Sequence, residues 1–221
     1  LLNKFYEKGE LLISEVTKQT FFPNECIIMK DALGSSSSAI GIVDDKGEKI
    51  KKLVFDYDHV WGIRPRNVQQ LMAFELLLKR DVPLVTLIGR AGTGKTLIAL
   101  AAGLMQTEDI KAYKKLLVAR PIVPVGKDIG FLPGEKNEKL RPWMQPIYDN
   151  LEFLFNAKKP GELEAILAGM GSIQVEALSY IRGRSIPDQF IIIDEAQNLT
   201  RHEVKTILTR VGEGSKIVLM G

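Results

Sequence analysis

Two patterns of apolar and polar residues divide the chain. Over residues 1–62 the apolar residues come in short runs: Leu11-Leu12-Ile13, Cys26-Ile27-Ile28-Met29 and Ala39-Ile40-Gly41-Ile42-Val43. Runs of this length, rich in Ile and bounded by polar residues, predict strands. Asp44-Asp45-Lys46-Gly47 marks a turn, and Gly34 with Ser35 to Ser38 reads as a flexible loop. The expectation is a small β-rich linker or accessory region, either a barrel or a sheet of three to four strands, with no chemistry of its own.

From Arg64 the pattern changes. Helical spacing covers Val68 to Leu78, then comes the apolar run Leu84-Val85-Thr86-Leu87-Ile88, a glycine-rich turn and an apolar helix from Lys95 to Met105. Leu116 to Ala119 predicts a strand. A proline-containing excursion runs from Arg120 to about Pro146. Further on come a helical stretch around Leu163 to Leu167, a strand over Ile173 to Glu176 and the buried strand Phe190 to Asp194. A helix from about Arg201 to Arg210 follows, and a last strand starts near Lys216. Strands apolar on both faces, alternating with helices, predict an α/β domain over residues 63–221 whose mainly parallel sheet is flanked by helices.

Composition narrows this little. The 221 residues are 45% apolar, enough for one full core with a small appendage. A net charge of +3 permits nucleic-acid binding without demanding it. The single cysteine, Cys26, leaves no internal disulfide and suits a reducing, cytoplasmic setting; its apolar neighbours predict a small core residue. The longest apolar run, Leu97 to Met105, is too short to span a bilayer, so no membrane partner is expected. His59 and His202 lack companions at metal-ligand spacing, which argues against zinc. The chain starts without Met and stops inside an apolar strand pattern, so a longer parent protein is expected.

Chemistry enters at Gly89-Arg90-Ala91-Gly92-Thr93-Gly94-Lys95-Thr96, which fits the phosphate-loop pattern at every fixed position. Its glycines let the backbone curl so that successive N–H groups face phosphate oxygens, and the following helix adds its positive end. Lys95 is expected on the β- and γ-phosphates and the Thr96 hydroxyl on Mg²⁺. About a hundred residues later the strand ends in Asp194-Glu195-Ala196-Gln197. Asp194 would hold the water shell of Mg²⁺, and Glu195 would orient and deprotonate a water, with Gln197 sensing the γ-phosphate. A base beside the metal-site carboxylate predicts a P-loop NTPase that hydrolyses ATP rather than a small-molecule kinase.

Taken together, Arg64-Pro65-Arg66-Asn67-Val68-Gln69-Gln70, the loop at 89–96, Ala119-Arg120-Pro121, Pro142-Trp143-Met144-Gln145-Pro146, Tyr180 to Arg184 and Asp194 to Asn198 resemble the PhoH-like ATPases. The resemblance runs in order from about residue 62 to 221 and implies a superfamily-one-helicase-like core. It further implies that Asn67 and Gln70 belong to an element that reads the adenine edge. Residues 1–62 resemble the segment that, in one branch, follows a PIN-type ribonuclease domain.

Arg120, Lys139, Arg141 and Trp143 are candidates for contact with single-stranded RNA, cations for the backbone and an indole for a base. Arg120 is equally a candidate for phosphate of ATP. Arg210 is expected to end the helix after the carboxylate strand and to act across a subunit boundary on a neighbour's γ-phosphate. This predicts a homo-oligomer such as a hexameric ring, although Arg90, Arg182 and Arg184 compete for the role. Two functions are in view: an RNA-coupled ATPase or helicase, and a slow nucleotide-dependent switch controlling an attached ribonuclease domain.

Overall fold

The computed structural model describes residues 1–31, 37–122, 136–181 and 185–221, with the backbone alone for 136–139. They form two compact units, Leu1–Tyr57 and Asp58–Gly221.

The first unit holds α1 (Leu2–Lys8), β1 (Glu10–Leu12), α2 (Ile13–Val16), β2 (Cys26–Lys30), β3 (Ser38–Val43) and β4 (Lys49–Lys52). The strands pair antiparallel in the order β1-β4-β3-β2 around Phe5, Leu11, Met29, Val43 and Ile50. Gly41 is there for space, since a Cβ would lie 2.5 Å from Ile50 Cγ2. The Asp44–Gly47 turn joins β3 to β4, and Asp44 Oδ1 accepts from the backbone N–H groups of Glu48 and Lys49 at 2.9 and 3.1 Å. Ile13 opens a helix instead of ending a strand. The helix α1 and the strand β4 escape an apolar-run reading; β4 carries three lysines around the single buried Ile50. Cys26 is only partly buried, across from Ile42. The expected loop at 34–38 lies mostly outside the described residues.

The second unit runs α3 (Val68–Leu78), β5 (Leu84–Leu87), α4 (Lys95–Leu104), β6 (Lys115–Arg120), α5 (Lys136–Phe155), α6 (Glu162–Met170), β7 (Ile173–Ala177), β8 (Gln189–Ile193), α7 (Arg201–Leu208) and β9 (Lys216–Met220). All five strands are parallel, in the order β5-β9-β8-β6-β7. This is the expected α/β arrangement. β9 stands between the loop strand and the carboxylate strand.

The helices have local causes. Asn67 caps α3, its side chain accepting from Gln70 N at 2.8 Å. Thr200 and Glu203 form a capping box on α7. The α4 helix is buried from Ile98 to Leu104, and it approaches the sheet closely at Gly103, where a Cβ would meet Leu116 Cδ1 at 2.7 Å. One π-helical turn, Met105–Asp109, extends it.

The proline-containing excursion is overturned in part: Pro142 and Pro146 lie inside α5. Each proline removes a backbone donor, which normally disfavours a helix interior. Here both are exposed and four residues apart, while Met144, Ile147 and Leu151 at positions i, i+3 and i+7 are buried. Burial of that stripe outweighs the proline penalty. Phe153 is 67% exposed, whereas Leu151 is buried and Phe155 packs edge-on against Trp61. Lys216, at the start of β9, is fully buried and donates to the carbonyls of Leu76 and Lys79 near the end of α3, both at 2.7 Å. Among the described residues no helix is long and apolar enough to cross a membrane.

Candidate active site

Because the sheet is parallel, every strand ends at one edge, where ligands of such sheets bind. The register aligns Leu87 with Met220, Leu219 with Ile193, and Ile193 with Ala119. The loop after β5, the end of β9, the Asp194-Glu195 pair and Arg120 therefore come to that edge. Gly221 ties the first two together, donating to Leu87 O at 3.1 Å and accepting from Gly89 N at 3.2 Å.

A cavity of ≈ 360 Å³ opens there, lined by Gly89, Ala91, Gly92, Thr93, Gly94, Lys95, Thr96, Leu97, Asn150, Asp194, Glu195, Gln197 and Gly221. It gathers the expected loop residues and the carboxylate pair. Gly92 and Gly94 hold positive φ of 79° and 84°, the left-handed curl that turns loop N–H groups inward. Lys95 Nζ donates to Gly89 O at 2.6 Å and to Arg90 O at 3.0 Å. Thr93 Oγ1 donates to Arg90 O at 2.8 Å. The Arg90 side chain does not line the cavity.

Across the cavity Asp194 is 7% exposed. Burial pushes its carboxyl above the usual carboxylate range; Arg120 pulls it down and Glu195 pushes it up. Glu195 has φ 54° and ψ 37°, a left-handed backbone unusual for a non-glycine residue. Its Oε1 accepts from the Arg120 guanidinium at 3.2 Å, and its Oε2 accepts from the Gln197 amide. Arg120 also stands 3.9 Å from Asp194 Oδ2. Asn150 and Gly221 join the cavity without any sequence signal: Asn150 comes from α5, and Gly221 follows a strand read only for its apolarity.

An adjoining cavity of ≈ 530 Å³ lies between α3 and β5, lined by Asn67, Gln70, Met72, Ala73, Leu76, Leu87 and Ile98 among others. Gln70 sits at its mouth with its amide engaged. Its Oε1 accepts from Arg66 N at 2.8 Å and its Nε2 donates to Thr93 O at 3.2 Å. Asn67 spends its side chain on the helix cap.

The other candidates fall elsewhere. Arg141 is ion-paired with Glu164 on α6 and lies 5.5 Å over the Tyr148 ring. Trp143 is partly exposed on α5; the Lys139 side chain and Arg182 and Arg184 are outside the described residues. Arg210 requires a correction. The helix stops at Leu208, and Arg210 O accepts from Ile186 N at 3.0 Å, ahead of β8. Five residues of extended strand, roughly 16 Å, separate that end of β8 from Asp194. A helix leaving the carboxyl edge of a parallel strand must return to the amino edge before the next strand starts, so Arg210 is not at the edge that carries this cavity.

The sequence matches the family described as PhoH-like protein over residues 62–221. Similar curated proteins include Protein PhoH2 of Bacillus subtilis, 76% identical over all of this chain and 50% of the relative, and Protein PhoH2 of Mycolicibacterium smegmatis, 43% identical over 85% of this chain and 42% of the relative. The chain thus spans about half the length of these relatives. Among solved structures, the Sulfolobus solfataricus SWI2/SNF2 ATPase core in complex with dsDNA aligns with a TM-score of 0.44 and 17% identity, over 77% of this chain and 34% of that one. A match over most of the chain, spanning the loop and the carboxylate pair now seen around one cavity, means that this chain belongs to the PhoH-like family.

Proposed function

We propose that this chain binds ATP with Mg²⁺ and hydrolyses it, and that hydrolysis is coupled to single-stranded RNA. The carrying observation is that Lys95 and the Asp194-Glu195 pair line one cavity from opposite sides of β9. The loop N–H groups and the start of α4 would hold the β- and γ-phosphates, and Lys95 would leave the Gly89 and Arg90 carbonyls for those oxygens. Thr96 and the buried Asp194 offer the hard oxygen donors that Mg²⁺ takes, so this site fits that cation. When bound, Mg²⁺ supplies positive charge to the phosphate oxygens. Glu195 would accept a proton from the attacking water as the bond to the ADP oxygen breaks, with Gln197 fixing its carboxylate. The apolar cavity between α3 and β5 suits the base, provided Gln70 exchanges Arg66 or Thr93 for it.

RNA coupling is supported by what stands at the same edge. Arg120 lies there, and Tyr180, 45% exposed, follows the neighbouring strand β7. A homo-oligomer and an attached PIN-type ribonuclease domain in a longer chain belong to the same proposal, and the greater length of the relatives leaves room for the latter.

The alternative, a slow nucleotide-dependent switch, is favoured by one observation: both Glu195 oxygens already have donors. ATP turnover by the longer natural chain, measured with RNA, with DNA and without nucleic acid, separates the two. Coupling requires stimulation by single-stranded RNA; a slow rate indifferent to every strand selects the switch. Glu195→Gln should keep ATP binding and lose roughly 10²- to 10⁴-fold in turnover. A rate near wild type would remove Glu195 as the base.

A further inference from the structure

Arg120 is the last residue of β6, and the β6–β8 register places it beside the carboxylate pair, with Asp194 N donating to Ala119 O at 2.9 Å. Its guanidinium reaches Glu195 Oε1 at 3.2 Å and Asp194 Oδ2 at 3.9 Å. The Gln197 amide occupies Glu195 Oε2. Both oxygens keep a free lone pair, but the two donors fix how the carboxylate is turned, and the guanidinium is the charged and stronger one, so turning Glu195 onto an attacking water means giving up that contact. Glu195 is held in a left-handed backbone by the turn that follows it, so its carboxylate is freed by moving the partner, not the chain.

The partner can move. The Arg120 side chain is 21% exposed and stands at the open edge of the sheet. Its strand neighbour in register is Ala177, after which the chain turns through Leu178–Tyr180 to present the exposed Tyr180. A single strand stacking a base on Tyr180 would bring backbone oxyanions to the same edge. A phosphodiester takes a guanidinium in the same forked geometry as a carboxylate does.

We propose that Arg120 is a positioning residue that restrains Glu195, and that the phosphodiester backbone of a nucleic-acid strand releases the base by taking the guanidinium. This rests on the reading of the chain as a strand-coupled ATPase. It makes stimulation a matter of exchanging one anion for another on a single arginine.

The test uses the longer natural chain, polyuridylate as the strand, and the variants Arg120→Ala and Arg120→Lys. Two quantities are read: turnover at saturating ATP with and without the strand, and affinity for ADP with Mg²⁺ without it. In Arg120→Ala, strand-free turnover should rise by about threefold or more, toward the stimulated wild-type rate, with KM for ATP no higher than wild type and further stimulation lost. Affinity for ADP with Mg²⁺ should tighten by about threefold or more, because a fixed cation beside Asp194 is gone. Arg120→Lys, which keeps the cation, should stay low without the strand and respond to it. A fall of Arg120→Ala turnover toward that of Glu195→Gln, or full polyuridylate stimulation of Arg120→Ala, overturns the proposal. If neither wild type nor variant hydrolyses ATP while the ADP affinity of Arg120→Ala still tightens, the hydrolysis reading fails and the restraint on the pair stands. ADP affinity unchanged in Arg120→Ala, together with absent turnover, overturns both.

Discussion

The ammonium of Lys95 stands 2.6 Å from the carbonyl oxygen of Gly89 and donates to it, so the loop's own backbone holds the charge that phosphate would claim. Lys95→Ala removes the one loop side chain able to meet β- and γ-oxygens with a full charge. ATP affinity, turnover or both should drop by at least about tenfold, or roughly 1.4 kcal/mol. Calorimetric titration with ATP and a turnover assay check this. Unchanged values in both would remove the phosphate site from this loop.

Gly221 stands against Gln197. A Cβ at Gly221 would lie 2.8 Å from Gln197 Oε1 and 3.3 Å from its Cβ. In Gly221→Ala the Gln197 side chain must shift, and with it the amide on Glu195. Turnover should fall on the order of tenfold through misplacement while ATP affinity stays near wild type. Affinity falling in step with turnover would show instead that the change reaches the phosphate loop through the Gly89 and Leu87 hydrogen bonds.

Lys216 gives the protein a pH signature. Burial lowers its pKa to about 7 from an ordinary 10.5, with Asp81 raising it and Lys79 lowering it further. The unfolded chain therefore binds more protons than the folded one between those values, and stability rises with pH across that window. Going down from about pH 10 to about pH 7, wild type should lose stability relative to Lys216→Met, by up to roughly 1.4 kcal/mol per pH unit. Below about pH 7 the difference should level off. Urea unfolding at a series of pH values checks this, and a pH-independent difference would show that the Leu76 and Lys79 carbonyls keep the ammonium charged throughout.

Arg210 is expected to matter little to hydrolysis. It sits by Ile186 at the amino edge of the sheet. Arg210→Ala should retain turnover within about twofold of wild type. A loss comparable to that of Glu195→Gln, regained on mixing the two variants, would restore its role across a subunit boundary.

The contrast between Lys95 and Arg210 shows what a sequence discloses. The loop was legible because glycines, lysine and threonine must fall at fixed spacing to surround phosphate, and the carboxylate pair because an apolar strand delivers it. The parallel sheet was legible because strands buried on both faces read as unbroken apolar runs. Arg210 was misplaced because no local pattern says at which end of a sheet a helix finishes; chain direction settles that. Pro142 and Pro146 hid α5, since the apolar stripe that stabilises it shows only once the prolines are allowed on the outer face. Arg120 was visible as a residue but not as a partner of Glu195, 75 positions away, because that pairing is made by strand register alone.

The left-handed backbone of Glu195 sets the site against the fold that carries it. An L-residue with a side chain is strained there by on the order of 1 kcal/mol, and glycine would relieve it. Loss-of-function changes at this position need not be damaging to the protein as a folded object; Glu195→Gly should be catalytically dead and no less stable. Folding stability alone gives no reason for a glutamate here; what the residue offers is its carboxylate. A screen that scores only folding would rank the wild-type residue below its inactive replacement.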